Sequence, residues 1–266
     1  MAVEHERRNV RGILPLQITN VRHIPWWLLI ILAAIGYMTF RIVTDPTYQN
    51  IFNIILAGLQ ITLYVTIVAF LLALAIGLLA GLGRISRNVV LRNIAIAYIE
   101  FIRGVPILVL IFTIAFVIVP AAVSILGIDS NAISQVTRAI IALALIYGAY
   151  LAEIFRAGIE AIGRGQMEAA RSLGMSHTQA MRRVVLPQAI RNVLPAIGND
   201  FIAILKDSSL VSVLGVRDLT QVSRLHASST FQYQQTFFIL TFFYLVLTLL
   251  LSLLLQWLQR RIGNKA

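Results

Sequence analysis

Apolar residues run in long unbroken stretches along this chain, and polar residues gather in the gaps between them. A helix crossing a membrane needs about 20 mostly apolar residues. Six stretches meet that length, at about 25–43, 57–82, 94–119, 138–160, 190–213 and 235–258. The second ends a run with no charged residue from Thr47 to Gly83. These stretches are continuous and do not alternate with period two, which speaks against a β-barrel. Trp26 and Trp27 open the first one and suit an interfacial belt. That stretch begins too far from the N-terminus, and lacks the small-residue cleavage site, for a signal peptide. The pattern predicts an all-α, polytopic membrane helical bundle of about six transmembrane helices.

Composition agrees. The chain has 266 residues, 59% hydrophobic and 12% charged, with mean hydropathy +0.84. Soluble domains carry about twice that share of charge. A net charge of +11 raises the question of nucleic-acid binding. The positions of the charges answer it. Most of the 22 lysines and arginines fall in pieces sharing one side of the membrane if the N-terminus is cytoplasmic: Arg7, Arg8, Arg11 and Arg22; Arg84, Arg87 and Arg92; Arg156, Arg164, Arg171, Arg182, Arg183 and Arg191; Arg260, Arg261 and Lys265. The positive-inside rule then places both termini in the cytoplasm. No basic face with interleaved aromatics exists outside the spans, so no nucleic-acid partner is expected.

Several chemistries are excluded. Cysteine is absent, which removes disulfides and thiolate sites. The four histidines (His5, His23, His177 and His226) have no metal-ligand spacing. A Ser208 or Ser209 nucleophile would have no histidine at span depth, so no enzyme is expected. Neither Lys206 nor Lys265 follows the glycines of a phosphate loop. Any ATP that energises this chain must be bound by another subunit, and the chain itself needs no cofactor. No large outer or cytoplasmic domain is expected, and the longest cytoplasmic segment is roughly 160–190.

That segment holds the most distinctive pattern. Gln166 to Leu173 are good helix formers, and Gly174 stands where a left-handed residue ends a helix. Ser176 with Gln179 three residues on is a capping-box signature for a second helix, which is expected to end before Pro187. Ala169, Ala170 and Leu173 form an apolar ridge suited to a close-fitting partner or to lipid. Arg182 and Arg183 suit acidic groove residues or lipid headgroups.

Six ionisable residues fall inside the spans: Glu100, Arg103, Glu153, Asp200, Lys206 and Asp207. Each costs about 2.5–3.5 kcal/mol at a helix centre on insertion scales, so they should face the bundle interior, a partner or a wet cavity. Arg103 suits a carboxylate through its bidentate fork. Asp200 or Glu153 suits an ammonium group, Glu100 lies one turn from Arg103, and the four are expected to line one substrate-binding cavity at or somewhat below the midplane. The other reading is direct pairing, Glu100 with Arg103 and Glu153 with Arg156, both at i, i+3. Lys206, Asp207 and Ser208 read as a helix break, a gate or an ion pair toward the outer half of the fifth span. Gly77 and Gly81 form a GxxxG that allows close helix approach, and Pro106 should kink the third span beside Arg103.

Glu168-Ala169-Ala170, three residues, Gly174, nine residues, then Val184-x-Leu186-Pro187 resembles the EAA loop of ABC importer permeases. Tyr98-x-Glu100-x-x-Arg103-Gly104-x-Pro106 is similar to a stretch of the polar amino-acid permeases of that class. So are Gly148 to Arg156 with Gly165-Gln166, Gly198-Asn199-Asp200 and Leu205 to Leu210, while Gly58 to Leu63 resembles the opening of that family's core. Leu110 departs from the glutamine many relatives carry. The resemblance covers about 57–260. It implies a permease domain over 51–266, preceded by a tail and an extra helix over 1–50. It implies partners: a cytoplasmic ABC ATPase dimer that seats Glu168, Ala169, Ala170, Gly174, Leu186 and Pro187, a second permease subunit, an extracytoplasmic solute-binding protein and a small polar amino acid, in a bacterial or archaeal cytoplasmic membrane. An ion-coupled secondary transporter is the alternative, though no inverted repeat is evident.

Overall fold

A computed structural model describes residues 26–162 and 164–263. Arg7, Arg8, Arg11, Arg22, Lys265, His5 and His23 lie outside the described residues. Among those described, helices account for every regular element.

The centre of the bundle is a parallel pair, α3 (Leu59–Arg84) and α7 (Gln135–Glu160). Each is 26 residues long, about 39 Å at 1.5 Å per residue, enough to cross a bilayer. They approach closely because of the two spaced glycines. A Cβ on Gly77 would stand 2.7 Å from Leu151 Cβ, and one on Gly81 would stand 2.8 Å from the Ala152 carbonyl oxygen. The GxxxG thus acts in tight packing, and α7 is the most buried of the helices that are long and apolar enough to span.

Around this pair the remaining helices are laid in chain order. α1 (Trp26–Thr44) exposes most of its apolar surface and touches α2 (Pro46–Leu56), which Asp45 caps and Pro46 starts. α2 is a brace, burying Ile51 and Ile55 in a second core with Leu219, Ile239 and Phe243. The third stretch is divided. α4 (Val89–Gly104) stops where Val105 turns extended ahead of Pro106, and α5 (Ile107–Thr113) restarts beyond it. A π turn at Ile114–Ile118 leads into α6 (Val119–Ile125). Arg138 is buried and gives its guanidinium to the carbonyls of Ala115, Ser130 and Ile133, fixing that bend to α7.

Beyond α7 come α8 (Arg164–Ser172) and α9 (His177–Ala180). α9 does not end before Pro187 as the sequence suggested. A π turn at Met181–Val185 carries it directly into α10 (Leu186–Asp207), with Pro187 in the first turn of that helix. A proline there lacks only an N–H that the wider turn no longer needs. α10 passes into a 3-10 segment, Ser208–Leu214, which Gly215 ends in the left-handed region. The chain returns as α11 (Leu219–Thr230) and closes with α12 (Tyr233–Gly263). The junction is tight: a Cβ on Gly58 would lie 2.7 Å from Asp218 backbone atoms, and Leu219 N–H donates to Thr62 Oγ1 at 3.0 Å.

Among the described residues, five stretches have the length and apolarity to span by themselves: α1, α2 with α3, α5 to α6, α7, and α12. α10 carries Pro195, Asn199, Asp200, Lys206 and Asp207 and is the polar sixth.

Candidate functional site

The segment between α7 and α10 folds as a rigid hairpin. Gly174 sits at φ +84°, with its N–H on the Arg171 carbonyl at 3.0 Å and the Met175 N–H on the Ala170 carbonyl at 3.2 Å. This pair of bonds is a Schellman ending for α8. Ser176 Oγ then accepts the Gln179 N–H at 3.2 Å, and the Gln179 side chain accepts the Ser176 N–H at 2.9 Å, completing the capping box. Ala170 is buried against the hairpin, whereas Glu168 and Ala169 are exposed and Leu173 is 81% exposed. Leu186, at the start of α10, is also exposed. The result is a knob with an apolar tip, whose two ends are each fixed by capping.

Its two legs are clamped together. A Cβ on Gly158 of α7 would fall 1.9 Å from Val193 Cγ1 of α10, so the helices meet there with no room for a side chain. Gln188 donates to the Val184 carbonyl at 3.0 Å and reaches Gln166 of α8 at 3.5 Å. The knob and the ends of both spans are thus packed as one body.

The intramembrane charges form two groups. Toward the end of α3, Arg84 bridges Glu100 of α4 at 3.4 Å and Glu153 of α7 at 3.1 Å. Arg156 binds Glu153 and Glu160. Arg103 is exposed but close enough to act electrostatically on Glu153. The i, i+3 pair of Glu153 with Arg156 forms. The pair of Glu100 with Arg103 does not, because Arg84 takes Glu100 from a neighbouring helix. Arg84 was read from the sequence only as a cytoplasmic loop charge.

The second group lies higher on α10. Asp207 accepts the Tyr147 hydroxyl at 2.7 Å, and Tyr147 stands at the middle of α7. The Lys206–Asp207–Ser208 step, at the end of α10, thus packs against the middle of α7. Asp200 is half-buried near Tyr147, with Oδ2 unpartnered. Asp200 is not paired with Arg103, Glu100 or Glu153. The helix breaks at Ser208, which is buried and donates to the Leu205 carbonyl at 2.8 Å. Lys206 and Asp207 make no ion pair, since consecutive residues on a helix point about 100° apart. Lys206 instead lines an open groove of ≈ 510 Å³ with Ser209, Thr220 and hydroxyl residues of α12. Tyr147 and Tyr244 were missed by the sequence reading, as aromatics in apolar runs carry no signal of their own.

Membrane-length helices, polar groups packed between them and a stiff hairpin at one end are the features of a membrane permease. The chain belongs to the family of binding-protein-dependent transport system inner membrane components, whose pattern matches residues 73–264. It is 39% identical over 213 residues to the probable amino-acid permease protein YxeN of Bacillus subtilis, covering 80% of this chain and 93% of that one. It is 36% identical over 208 residues to the glutamine transport system permease protein GlnP of Escherichia coli K12, covering 78% and 92%. The fold matches a chain from the crystal structure of an amino acid ABC transporter with histidines, with TM-score 0.71, 41% identity and coverage of 82% and 97%. The protein is a multi-pass inner-membrane subunit of such a system.

Proposed function

We propose that this chain is the permease subunit of an ATP-driven importer of small polar amino acids. It forms one half of an alternating-access pathway beside a second permease, identical or related. The hairpin of α8 and α9 seats in a cytoplasmic ATPase dimer, through Glu168, Ala169, Ala170, Gly174, Leu186 and Pro187. A solute-binding protein delivers the amino acid from outside. In this reading both termini are cytoplasmic, residues 51–266 are the permease domain, and the helix within 1–50 is an addition on its flank. Glu100, Arg103 and Glu153 close the cytoplasmic end of the pathway, and Asp200 faces it from α10.

The observation that carries this proposal is the hairpin: an exposed Leu173 on a knob ended by left-handed Gly174, with legs locked by Gly158 against Val193. Such a body turns rigid-body motion of a neighbour into motion of spans α7 and α10. Ion-coupled transport gives no role to it. Reconstitution in vesicles with the ATPase and binding protein should yield uptake that needs ATP and all three components. Uptake driven by an ion gradient through this chain alone would refute the proposal.

A further inference from the structure

Between α3, α10 and α12 lies an apolar cavity of ≈ 150 Å³. Phe70 of α3, Leu194 and Phe201 of α10, and Leu255 and Leu258 of α12 supply most of its wall. Gly198 completes the wall without a side chain, since a Cβ there would stand 3.3 Å from both methyl carbons of Leu255. The rings of Phe70 and Phe201, with centroids 4.6 Å apart, mark the deep end. Gln259 is the one polar residue of the lining, and it is also the last residue of the apolar stretch of α12. The cavity therefore begins at the level where the span leaves the hydrocarbon and runs inward from there.

A polar solute has no place in it. Small-molecule sites start at about 300 Å³ and carry convergent polar groups. An amino acid here would leave its ammonium and carboxylate unpaired, at a high cost in desolvation. An apolar cavity of roughly 150 Å³ stays dry and accepts an apolar guest.

Basic residues stand at the mouth. Arg191, Leu194, Gly198 and Phe201 recur at helical spacing and share one stripe of α10. Along that helix Arg191 is about 15 Å from Phe201, half the thickness of the hydrocarbon core. On α12, Arg261 lies just past Gln259, with its guanidinium carbon 4.6 Å from the centre of the Trp257 ring. Tryptophan at the end of a span sits at headgroup level. Arg191 and Arg261 are exposed, and among the described residues neither enters an ion pair.

We propose that this cavity holds one acyl chain of an anionic phospholipid, whose headgroup phosphate accepts from Arg191 and Arg261. The lipid comes from the leaflet that meets the C-terminal end of α12, the cytoplasmic leaflet in the orientation given above. Depth, apolar lining and charge all suit this occupant. The chain runs from the two arginines to Phe70 and Phe201, and the phosphate meets positive charge at the only end of the cavity that reaches the headgroups. The bound lipid then fills the seam between α10, the span that leaves the hairpin, and α12.

The test is photocrosslinking in the full permease–ATPase complex, in vesicles of equal parts phosphatidylglycerol and phosphatidylcholine with identical chains. The photoreactive p-benzoylphenylalanine replaces Leu258 at the cavity or, as the control, Ile30 on the exposed face of α1. Adducts are identified by mass spectrometry. At Leu258 phosphatidylglycerol should exceed phosphatidylcholine at least fivefold, whereas at Ile30 the two should appear in their bulk ratio. Arg191→Gln and Arg261→Gln should each lower the preference by about fivefold, the worth of one basic residue beside an anionic surface. Leu194→Phe, which fills the cavity from its wall, should cut the total lipid adduct at Leu258 while the ATPase still co-purifies. A Leu258 adduct to a second permease chain would show that protein covers the cavity and would overturn the proposal. So would a lipid ratio at Leu258 equal to that at Ile30, or one unchanged in both arginine variants. The permease reading is tested separately, by ATP-dependent uptake, and survives any of these failures.

Discussion

At Gly174 the backbone lies at φ +84°, and no other atom comes within 4 Å of where a Cβ would stand. Substitution there probes backbone conformation alone. A β-branched residue is strained in the left-handed region, whereas asparagine visits it readily. Gly174→Val should therefore unseat the end of α8 and lose association with the ATPase, while membrane insertion persists. Gly174→Asn should retain association. Co-purification of the ATPase with each variant is the measurement, and equal recovery with both would show that the left-handed turn is not needed for docking.

Between elements, the decisive contact is α7 against α10 at Gly158 and Val193. Valine is stiff in a helix and cannot swing clear of a new Cβ. Gly158→Ala should pry the legs of the hairpin apart and cost about 1–3 kcal/mol, as overpacking does. Val193→Ala in the same chain should return both stability and the amount of solute moved per ATP, because the crowding is pairwise. Additive losses in the double variant would contradict the clamp. The sequence already carried much of this level. Long apolar runs marked the spans, Gly77 and Gly81 marked a close helix approach without naming α7 as the partner, and Pro106 marked a kink where α4 in fact ends. Gly174 and the Ser176–Gln179 pair set out the hairpin in the sequence itself. What stayed hidden depended on neighbours distant in sequence. Pro187 reads as a stop, yet the π turn ahead of it lets the helix run on. Glu100 reads as a partner for Arg103, yet Arg84 of α3 claims it. Lys206 and Asp207 read as an ion pair, yet Asp207 accepts the Tyr147 hydroxyl instead.

Taken as one machine, the molecule joins three levels along α7: Tyr147 beside the mid-membrane group, Glu153 in the ion network, and Gly158 at the root of the hairpin. Glu153 is the middle link, binding Arg84 of α3 and Arg156 of its own helix at once. Its removal need not unfold the chain. With Glu153→Gln, Arg84 keeps Glu100 and Arg156 keeps Glu160. Each of these groups is partly exposed, where an ion pair contributes only about 0–1 kcal/mol. The expected loss is one of communication. Untied from α3, the lower half of α7 should follow the hairpin without carrying the rest of the bundle, so that ATP is hydrolysed with less solute moved. Vesicle uptake divided by phosphate released, compared between wild type and Glu153→Gln, should fall well before the unfolding temperature does. Arg84→Gln should reproduce the defect, since it cuts the same tie from the other side, while Glu160→Gln should not, because that carboxylate joins Arg156 only within α7. An unchanged ratio in Glu153→Gln and Arg84→Gln would reduce the network to a local brace and leave the Gly158 clamp as the sole mechanical route from the hairpin into the spans.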